Sequence, residues 1–525
     1  MSQKGRPLMP QKNVALKGVP FDSRIANINH MSYNVKDKKM EEKIVENKKY
    51  EISVKEILNI TNGKLLIGNE QSICENFERD SRNVKEDDIY LGIKGENLNG
   101  SIYFEQAFEK GAKGAILQDI EITEKQKEKY KNKFIILVED TIKAMQQIAT
   151  YKREKYNIPV VAITGSVGKT STKDMVANVI NQKFNTLKTE GNYNNHIGVP
   201  LTIFRLKNEE ALTIEIGMNH FGEISTLTKI AKPTVCVITN IGTAHIGNLG
   251  SRENILKAKL EILEGMEKSG TVVINNDNDL LHKWYLENKN KYKIITYGIK
   301  NESDFSAENI ESKEDGSTYT LKGTNAKIHV PVGGNHFVLN SLCGVAVGSI
   351  FEIPIEKIKQ GIESFELTKK RMDITKTNEN ITIINDAYNA NYDSMKAALE
   401  YLGKIENKRK IAVLGDMLEL GEYSRELHEK VGKEVVKNKI DILITVGKEA
   451  KYIANIAKIN IEKQNVIECE SNEEAVNILN KIKKENDCIL FKASNGMNFG
   501  KIIEKINHTW YNKLTIKNGR MSNDF

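Results

Sequence analysis

The stretch Val160-Val161-Ala162-Ile163-Thr164-Gly165-Ser166-Val167-Gly168-Lys169-Thr170-Ser171 decides the fold. Its first five residues form a short, uncharged, β-branched run of the kind buried on both faces of a parallel sheet. A glycine-containing turn follows, and a helical pattern begins near Lys169. Backbone N–H groups at such a helix start are unpaired, and the helix dipole favours an anion there. Gly165 and Gly168 let the backbone approach phosphate oxygens, with Ser166, Val167 and Ser171 completing the loop. Lys169 can reach β- and γ-phosphates, and the Thr170 hydroxyl can ligate Mg²⁺. The spacing is G-x-x-G-K-T, not the common G-x-x-x-x-G-K-[ST], because position 163 is isoleucine. A chance Gly-Lys-Thr turn is the competing reading, and the strand–turn–helix context disfavours it. Taken alone, the loop says that the chain binds a nucleoside triphosphate and leaves kinases, transport ATPases and ligases open.

The same alternation extends outward from the loop. Leu212–Ile216, Val235–Thr239 and Val272–Ile274 are short apolar runs bounded by Gly, Asn or Asp, with helical patterns between them. This predicts a parallel sheet covered on both faces. The apolar stretch Phe337–Phe351, broken by small residues, reads as a buried helix. Beyond Phe365 the alternation repeats, with strand-like Ile381–Ile384, Lys410–Leu414, Ile442–Val446 and Cys488–Phe491. Helical patterns at Ser394–Leu402, Ser424–Asn438 and Asn472–Lys484 separate them. Before the loop lies a smaller unit: a helix over Ser53–Thr61 ending at the Asn62-Gly63 turn, strands at Ile89–Ile93 and Ala115–Leu117, and a helix near Phe104–Lys110. A helical stretch, Thr141–Tyr156, leads out of it. The expected fold class is α/β with three domains: a tail over 1–48, then units at 49–140, 141–364 and 365–525. The unit at 141–364 is a P-loop parallel-sheet domain and the last is Rossmann-like.

At 525 residues, 39% hydrophobic and 28% charged, the composition is that of a globular protein, and no run approaches the 18 or so apolar residues of a membrane span. No integral membrane association is expected. Met1–Lys17 is polar and basic, without the apolar core of a signal peptide. Five scattered cysteines, with no C-x-x-C pair, argue against a disulfide framework and for a cytoplasmic setting. Of the net charge of +7, residues 1–49 carry +6 (11 Lys/Arg against 5 Asp/Glu). The body is near neutral, so no nucleic-acid partner is expected. The tail itself is polar, Lys/Asn-rich and without periodicity, which reads as a solvated extension. A monomer is expected.

Four clusters fall where strands of the middle unit end, the edge at which parallel sheets bind ligands. They are the amide-rich Thr189-Glu190-Gly191-Asn192-Tyr193-Asn194-Asn195; Glu215, a carboxylate closing an apolar strand and suited to a hard cation; Asn240-Ile241-Gly242-Thr243-Ala244-His245; and Lys257-Ala258-Lys259-Leu260-Glu261-Ile262. On spacing alone the last reads as an amphipathic helix with a solvated basic face.

These pieces, in this order, resemble the Mur ligases over about residues 50 to 510. Thr164–Thr170 is similar to that family's shortened T-G-x-x-G-K-T loop, and Gly191–Pro200 to its G-N-x-N-N-x-I-G-x-P segment. Glu215-Ile216-Gly217-Met218-Asn219, Asn385-Asp386-Ala387-Tyr388-Asn389-Ala390-Asn391 and Leu414-Gly415-Asp416-Met417-Leu418-Glu419-Leu420-Gly421 resemble the branch that acts on D-alanyl-D-alanine. The D-N-P-R segment of the diaminopimelate-adding relatives does not occur.

The resemblance implies ATP-dependent ligation of D-alanyl-D-alanine to UDP-N-acetylmuramoyl-tripeptide, through an acyl phosphate. It implies ATP with two Mg²⁺ ions, and Lys259 carbamylated by CO₂ into an anionic ligand. Thr170 would hold the first ion, and Glu215, His245 and Lys259 the second. Lys169 and Arg371 would meet the phosphates, and Asn275, His336 and Asn340 would lie near the nucleotide. Ser81, Arg82, Lys94 and Gly95 would hold the UDP-sugar. Asn192, Asn194 and Asn195, with Asp386, Tyr388 and Asn389 from the last domain, would line the substrate side. The chain departs from the family pattern at Asn99-Gly100-Ser101, where D-G-H is common, and at Lys492-Ala493-Ser494-Asn495, where K-G-S-R is common. Another ligase of this family, a folate polyglutamate ligase, or a P-loop ATPase using its basic tail on nucleic acid are the rival readings.

Overall fold

A computed structural model describes residues 51–313, 316–367, 371–377 and 379–506. The tail expected over 1–48 lies outside the described residues. Three main sheets follow one another along the chain.

The first has the strand order Lys64–Ile67, Phe134–Leu137, Gly114–Leu117, Ile89–Leu91, Phe77–Glu78. It is parallel except at the Lys64–Ile67 edge. The helix that opens it, Val54–Thr61, is framed by local chemistry. Ser53 and Glu56 form a reciprocal capping box at its start, and Asn62 ends it in the left-handed region at φ +53°. The Thr141–Lys155 helix bridges the first and second sheets: it packs against the Val54–Thr61 helix on one side and against the Gly198–Phe204 and Glu223–Ala231 helices on the other.

The central sheet has nine strands, in the order Lys327–Val330, Gly316–Leu321, Phe305–Lys313, Lys293–Gly298, Thr271–Asn275, Val235–Ile238, Val160–Thr164, Ala211–Glu215, Thr186–Lys188. All five residues of Val160–Thr164 are buried, each large aliphatic side chain contributing roughly 1.5–3 kcal/mol. That strand sits between Ala211–Glu215 and Val235–Ile238, both parallel to it. The chain leaves it towards one edge of the sheet and later returns to its other side. The connections therefore diverge above its carboxyl end, and a crevice opens there. The antiparallel extension formed by Phe305–Lys313, Gly316–Leu321 and Lys327–Val330 was not foreseen from sequence. Two of its strands alternate buried with more exposed residues, as in Ser317, Tyr319 and Leu321 against Thr318 and Thr320. One face of the extension is covered by the Asn335–Ile350 helix, buried as predicted. That helix also packs on the Lys169–Ile180 helix, where Gly348 lies so close to Val179 that a Cβ would meet its Cγ1 at 2.9 Å.

The third sheet has six strands, in the order Asp373–Lys376, Thr382–Asn385, Asp487–Lys492, Arg409–Gly415, Ile442–Val446, Val466–Cys469, parallel except at the first. The four predicted strands form its centre, and the two edges are additions. The chain is thus α/β with mostly parallel sheets, as expected. All five cysteines are buried, and none is in a disulfide. Among the described residues no helix is long and apolar enough to cross a membrane.

Candidate active site

A cleft of about 710 Å³ opens at the carboxyl end of Val160–Thr164, between the central and last sheets. Its floor is the phosphate loop. Gly165 has φ +153°, and a Cβ there would overlap Thr239 Oγ1. Gly168, at φ +80°, begins the Lys169–Ile180 helix without a side-chain cap, so the first-turn N–H groups are free for an anion. Asn240, from the next strand's end, braces the loop: its Oδ1 accepts the N–H groups of Ser166 (3.0 Å) and Val167 (2.8 Å). Gly242 N donates to Ser166 Oγ at 2.9 Å. Lys169 folds back to donate to Gly165 O at 2.8 Å, and burial lowers its pKa.

Beside the loop, Glu215 is buried and both its oxygens are used. Oε2 accepts from Thr170 Oγ1 at 2.7 Å and Oε1 from Asn194 Nδ2 at 2.8 Å. Lys259 is only 1% exposed. It has no hydrogen-bond or ion-pair partner among the described residues, and burial, then the charge of Lys169, pushes its pKa well below the ordinary range. The solvated basic face suggested by spacing is therefore incorrect for Lys259: its helix, Arg252–Leu260, turns that side chain inward. A buried amine without an acceptor costs several kcal/mol if charged, so the neutral form is favoured.

His245 lies in the left-handed region at φ +62°. Its Nδ1 donates to Glu419 Oε2 of the last sheet's Met417–Leu420 loop at 2.7 Å, and that bond holds the Glu419 carboxyl below its ordinary pKa. Among the described residues no three His, Cys, Asp or Glu side chains are grouped to hold a metal. Glu215 and His245 alone would make a sparse site. The hard oxygens of Thr170 and Glu215, an imidazole, and an amine convertible to a carbamate do fit Mg²⁺, which takes few protein ligands.

Asn340 Oδ1 accepts from Thr172 Oγ1 at 3.0 Å, tying the Asn335–Ile350 helix to the phosphate-loop helix. Asn275 caps Asp277 N at 3.0 Å. Burial pushes the His336 pKa down to about 4, so its ring is neutral near pH 7. From the last domain, Arg371 lies with Cζ 4.0 Å from the Tyr388 ring centroid, a cation–π contact. Asp386 is paired inside its own domain: Lys492, 2% exposed, donates to its Oδ2 at 2.5 Å and to Asn389 O at 3.1 Å.

The cleft is thus lined by Ser166 to Ser171, Asn194, Asn195, Glu215, His245, Asn275, His336, Asn340, Arg371, Asp386, Tyr388 and Asn389. Gly165 and Lys259 lie behind that surface, and Asn192 is exposed outside it. Ser81, Arg82, Lys94 and Gly95 sit apart, in the loops that follow two strands of the first sheet. There Arg82 pairs with Asp80 and Lys94 with Asp119, and Ser81 Oγ donates to Gln106 at 2.7 Å. The departure at Ser101 has a structural role, since its buried hydroxyl donates to Gly92 O and accepts from Gln118 N. Asn495 is exposed, at the start of a short turn. Sequence reasoning missed Asn240 as the loop's brace, Lys492 as the partner of Asp386, and Asp393. Asp393 Oδ2 accepts from Thr243 N (2.8 Å) and Oγ1 (3.0 Å), closing the last domain on the central one. Only the density of Asn, Gly and Asp in those segments hinted at them.

Residues 163–348 match the Mur ligase middle domain, and 370–495 the Mur ligase, glutamate ligase domain. A relative from Bacillus subtilis (strain 168), a UDP-N-acetylmuramoyl-tripeptide–D-alanyl-D-alanine ligase, is 36% identical over 86% of this chain and 98% of its own. A crystal structure of MurF from Acinetobacter baumannii superposes with TM-score 0.79 at 27% identity, covering 88% of this chain and 99% of that one. The MurF ligase of Thermotoga maritima in complex with ADP does so with TM-score 0.72 at 26% identity, covering 84% and 98%. The agreement runs through all three sheets and includes the segments that build the cleft, so the chain belongs to the Mur ligase family, among the UDP-N-acetylmuramoyl-tripeptide–D-alanyl-D-alanine ligases.

Proposed function

We propose that this protein joins D-alanyl-D-alanine to UDP-N-acetylmuramoyl-tripeptide at the expense of ATP, as a monomer in the cytoplasm, in the synthesis of peptidoglycan precursors. The observation that carries this reading is the convergence, in one cleft, of the phosphate loop, the Thr170–Glu215–Asn194 cluster and Arg371 from the last domain.

A carboxylate does not form an amide unaided. The terminal carboxylate of the tripeptide attacks the γ-phosphorus of ATP, a new O–P bond forms, and the bond to the ADP oxygen breaks. The amine of D-alanyl-D-alanine then attacks the acyl carbon; phosphate leaves and the amine gives up a proton. Catalysis of this kind is mainly positioning and charge compensation. Gly165 to Ser171 cradle the phosphates, with Lys169 and Arg371 offsetting the charge that builds as two anions meet. Asn275, His336 and Asn340 hold the nucleotide side. Asn192, Asn194, Asn195, Asp386, Tyr388 and Asn389 flank the peptide and amine. Ser81, Arg82, Lys94 and Gly95 hold the UDP-sugar on the first domain. The division of labour follows the domains 49–140, 141–364 and 365–525.

Lys259 adds through its neutral Nζ to CO₂, forming a C–N bond and releasing a proton. With that carbamate, Thr170 on the first side and Glu215, His245 and Lys259 on the second would hold two Mg²⁺ ions. Bound there, the ions supply positive charge to the phosphate and acyl oxygens. Docking of the last domain shields the acyl phosphate from water.

ADP release tests the reading, measured with UDP-linked muramoyl tripeptides ending in meso-diaminopimelate or lysine, and with D-alanyl-D-alanine, a single amino acid or no amine. Release that needs both a tripeptide and D-alanyl-D-alanine is expected. Release driven by a single amino acid, or by neither substrate, would overturn the assignment.

A further inference from the structure

The last domain meets the central one where Tyr401 packs by Gly333 and Gly334 and, at the cleft, along a short segment, Gly242–Gly250. Three contacts there are purely a matter of docking: Asp393 with Thr243, Gly247 N with Glu419 O at 3.2 Å, and Tyr423 Oη with Gly250 O at 2.5 Å. A fourth is different in kind. The Glu419 side chain accepts from Nδ1 of His245. A carboxylate can only accept, so Nδ1 carries a proton, and in the neutral ring the lone pair is then on Nε2. Both residues hold left-handed backbone, at φ +62° for His245 and φ +63° for Glu419. Non-glycine residues in that region persist where the surroundings impose it. The Glu419 loop is also rigidly held. Met417 N donates to His428 Nε2 at 3.0 Å and Leu418 N to Ser494 Oγ at 2.9 Å.

We infer that Glu419 is a positioning residue acting across the domain boundary: it fixes the tautomer and ring direction of His245, so that a divalent cation is held in full only when the last domain is docked. The inference rests on the reading of His245 as an ion ligand given above. Imidazole ligands that hand their second nitrogen to a carboxylate gain orientation and basicity. Here that carboxylate belongs to another domain, which links closure to assembly of the ion site. Asp393, Tyr423 and the Glu419 carbonyl remain when the carboxylate is removed. Docking therefore persists in a Glu419 variant, and the ion site alone is affected.

Mn²⁺ binding to the full chain, followed by electron paramagnetic resonance with a non-hydrolysable ATP analogue and UDP-linked tripeptide present, tests this. Glu419→Ala should weaken the second Mn²⁺ about 10- to 100-fold, and raise the KM for Mg²⁺ far more than it lowers kcat at saturating Mg²⁺. Glu419→Gln keeps an acceptor for Nδ1–H and should lie between Ala and wild type. Small-angle scattering should give both variants the wild-type dimensions. Unchanged Mn²⁺ affinity in Glu419→Ala, with His245→Ala weakened, would overturn the role of Glu419 and leave the ligand reading intact. Unchanged affinity in both would remove the ligand reading and this inference with it. A Glu419→Gln as weak as Glu419→Ala would overturn the tautomer argument.

Discussion

Lys492→Met removes the buried cation beneath the Asp386 carboxylate while keeping the side chain's length. The structure sets the size of the effect. Lys492 is 2% exposed and the Asp386 side chain 15%. The ammonium donates to Asp386 Oδ2, Asp386 O and Asn389 O at 2.5, 3.3 and 3.1 Å. Breaking a buried pair from one side costs about 3–5 kcal/mol, because the remaining charge is left without a partner. Asp386 keeps some solvent and the Met372 N–H at 3.2 Å, so the low end, about 3 kcal/mol, applies. At 1.4 kcal/mol per decade this is on the order of a 100-fold rise in the opening of the last domain. Amide hydrogen exchange in the Thr382–Asn385 and Asp487–Lys492 strands reads that opening directly. The double variant Asp386→Leu/Lys492→Met should recover most of the loss, since replacing both members of a pair is nearly neutral. Exchange within about 3-fold of wild type in the single variant would refute the reasoning. So would a double variant that is worse by the sum of the two single effects.

Lys259→Ala should abolish ligation and be partly rescued by acetate or formate, with a ¹³CO₂-derived carbamate signal present in wild type and absent in the variant; full activity without rescue would exclude a carbamate. Gly165→Ala places a methyl against Thr239 Oγ1 at a φ that side chains rarely adopt. It should weaken ATP binding at least about 10-fold by calorimetry, at a cost of roughly 1–3 kcal/mol in stability. His428, fully buried, accepts the Met417 N–H at Nε2, and burial lowers its pKa. Below about pH 6.5 the unfolded chain takes up a proton that the folded chain refuses, so stability falls as pH drops from there. The urea midpoint should decline between pH 7.5 and 5, and His428→Asn should start lower but decline less; parallel curves would count against this.

The nucleotide loop was legible from residues alone because its chemistry is local. A strand, two glycines, a lysine and a threonine within twelve residues place backbone amides, a cation and a hydroxyl by short-range geometry. Strands buried on both faces, such as Val160–Thr164 and Ile442–Val446, were equally plain, since each is a continuous apolar run. The extension escaped notice because Phe305–Lys313 is largely exposed and without a regular period, and the alternation in Gly316–Leu321 and Lys327–Val330 runs over only six and four residues, a weak signal.

The amino-acid sequence by itself therefore determined an α/β chain with a phosphate-binding loop, and its motif order pointed to the ligase family. Only the tertiary structure decided the surroundings of Lys259, Glu215, Asp386 and Glu419. A basic side chain on an amphipathic helix reads as solvated until packing buries it, and Lys259 proves to be a buried amine with no partner among the described residues. The partners of the other three lie 45 residues away for Glu215 with Thr170, 106 for Asp386 with Lys492, and 174 for Glu419 with His245. No local pattern encodes such pairings. They arise because parallel crossovers deliver strand ends to one crevice, and because the last domain docks on the Gly242–Gly250 segment that also holds the phosphate loop.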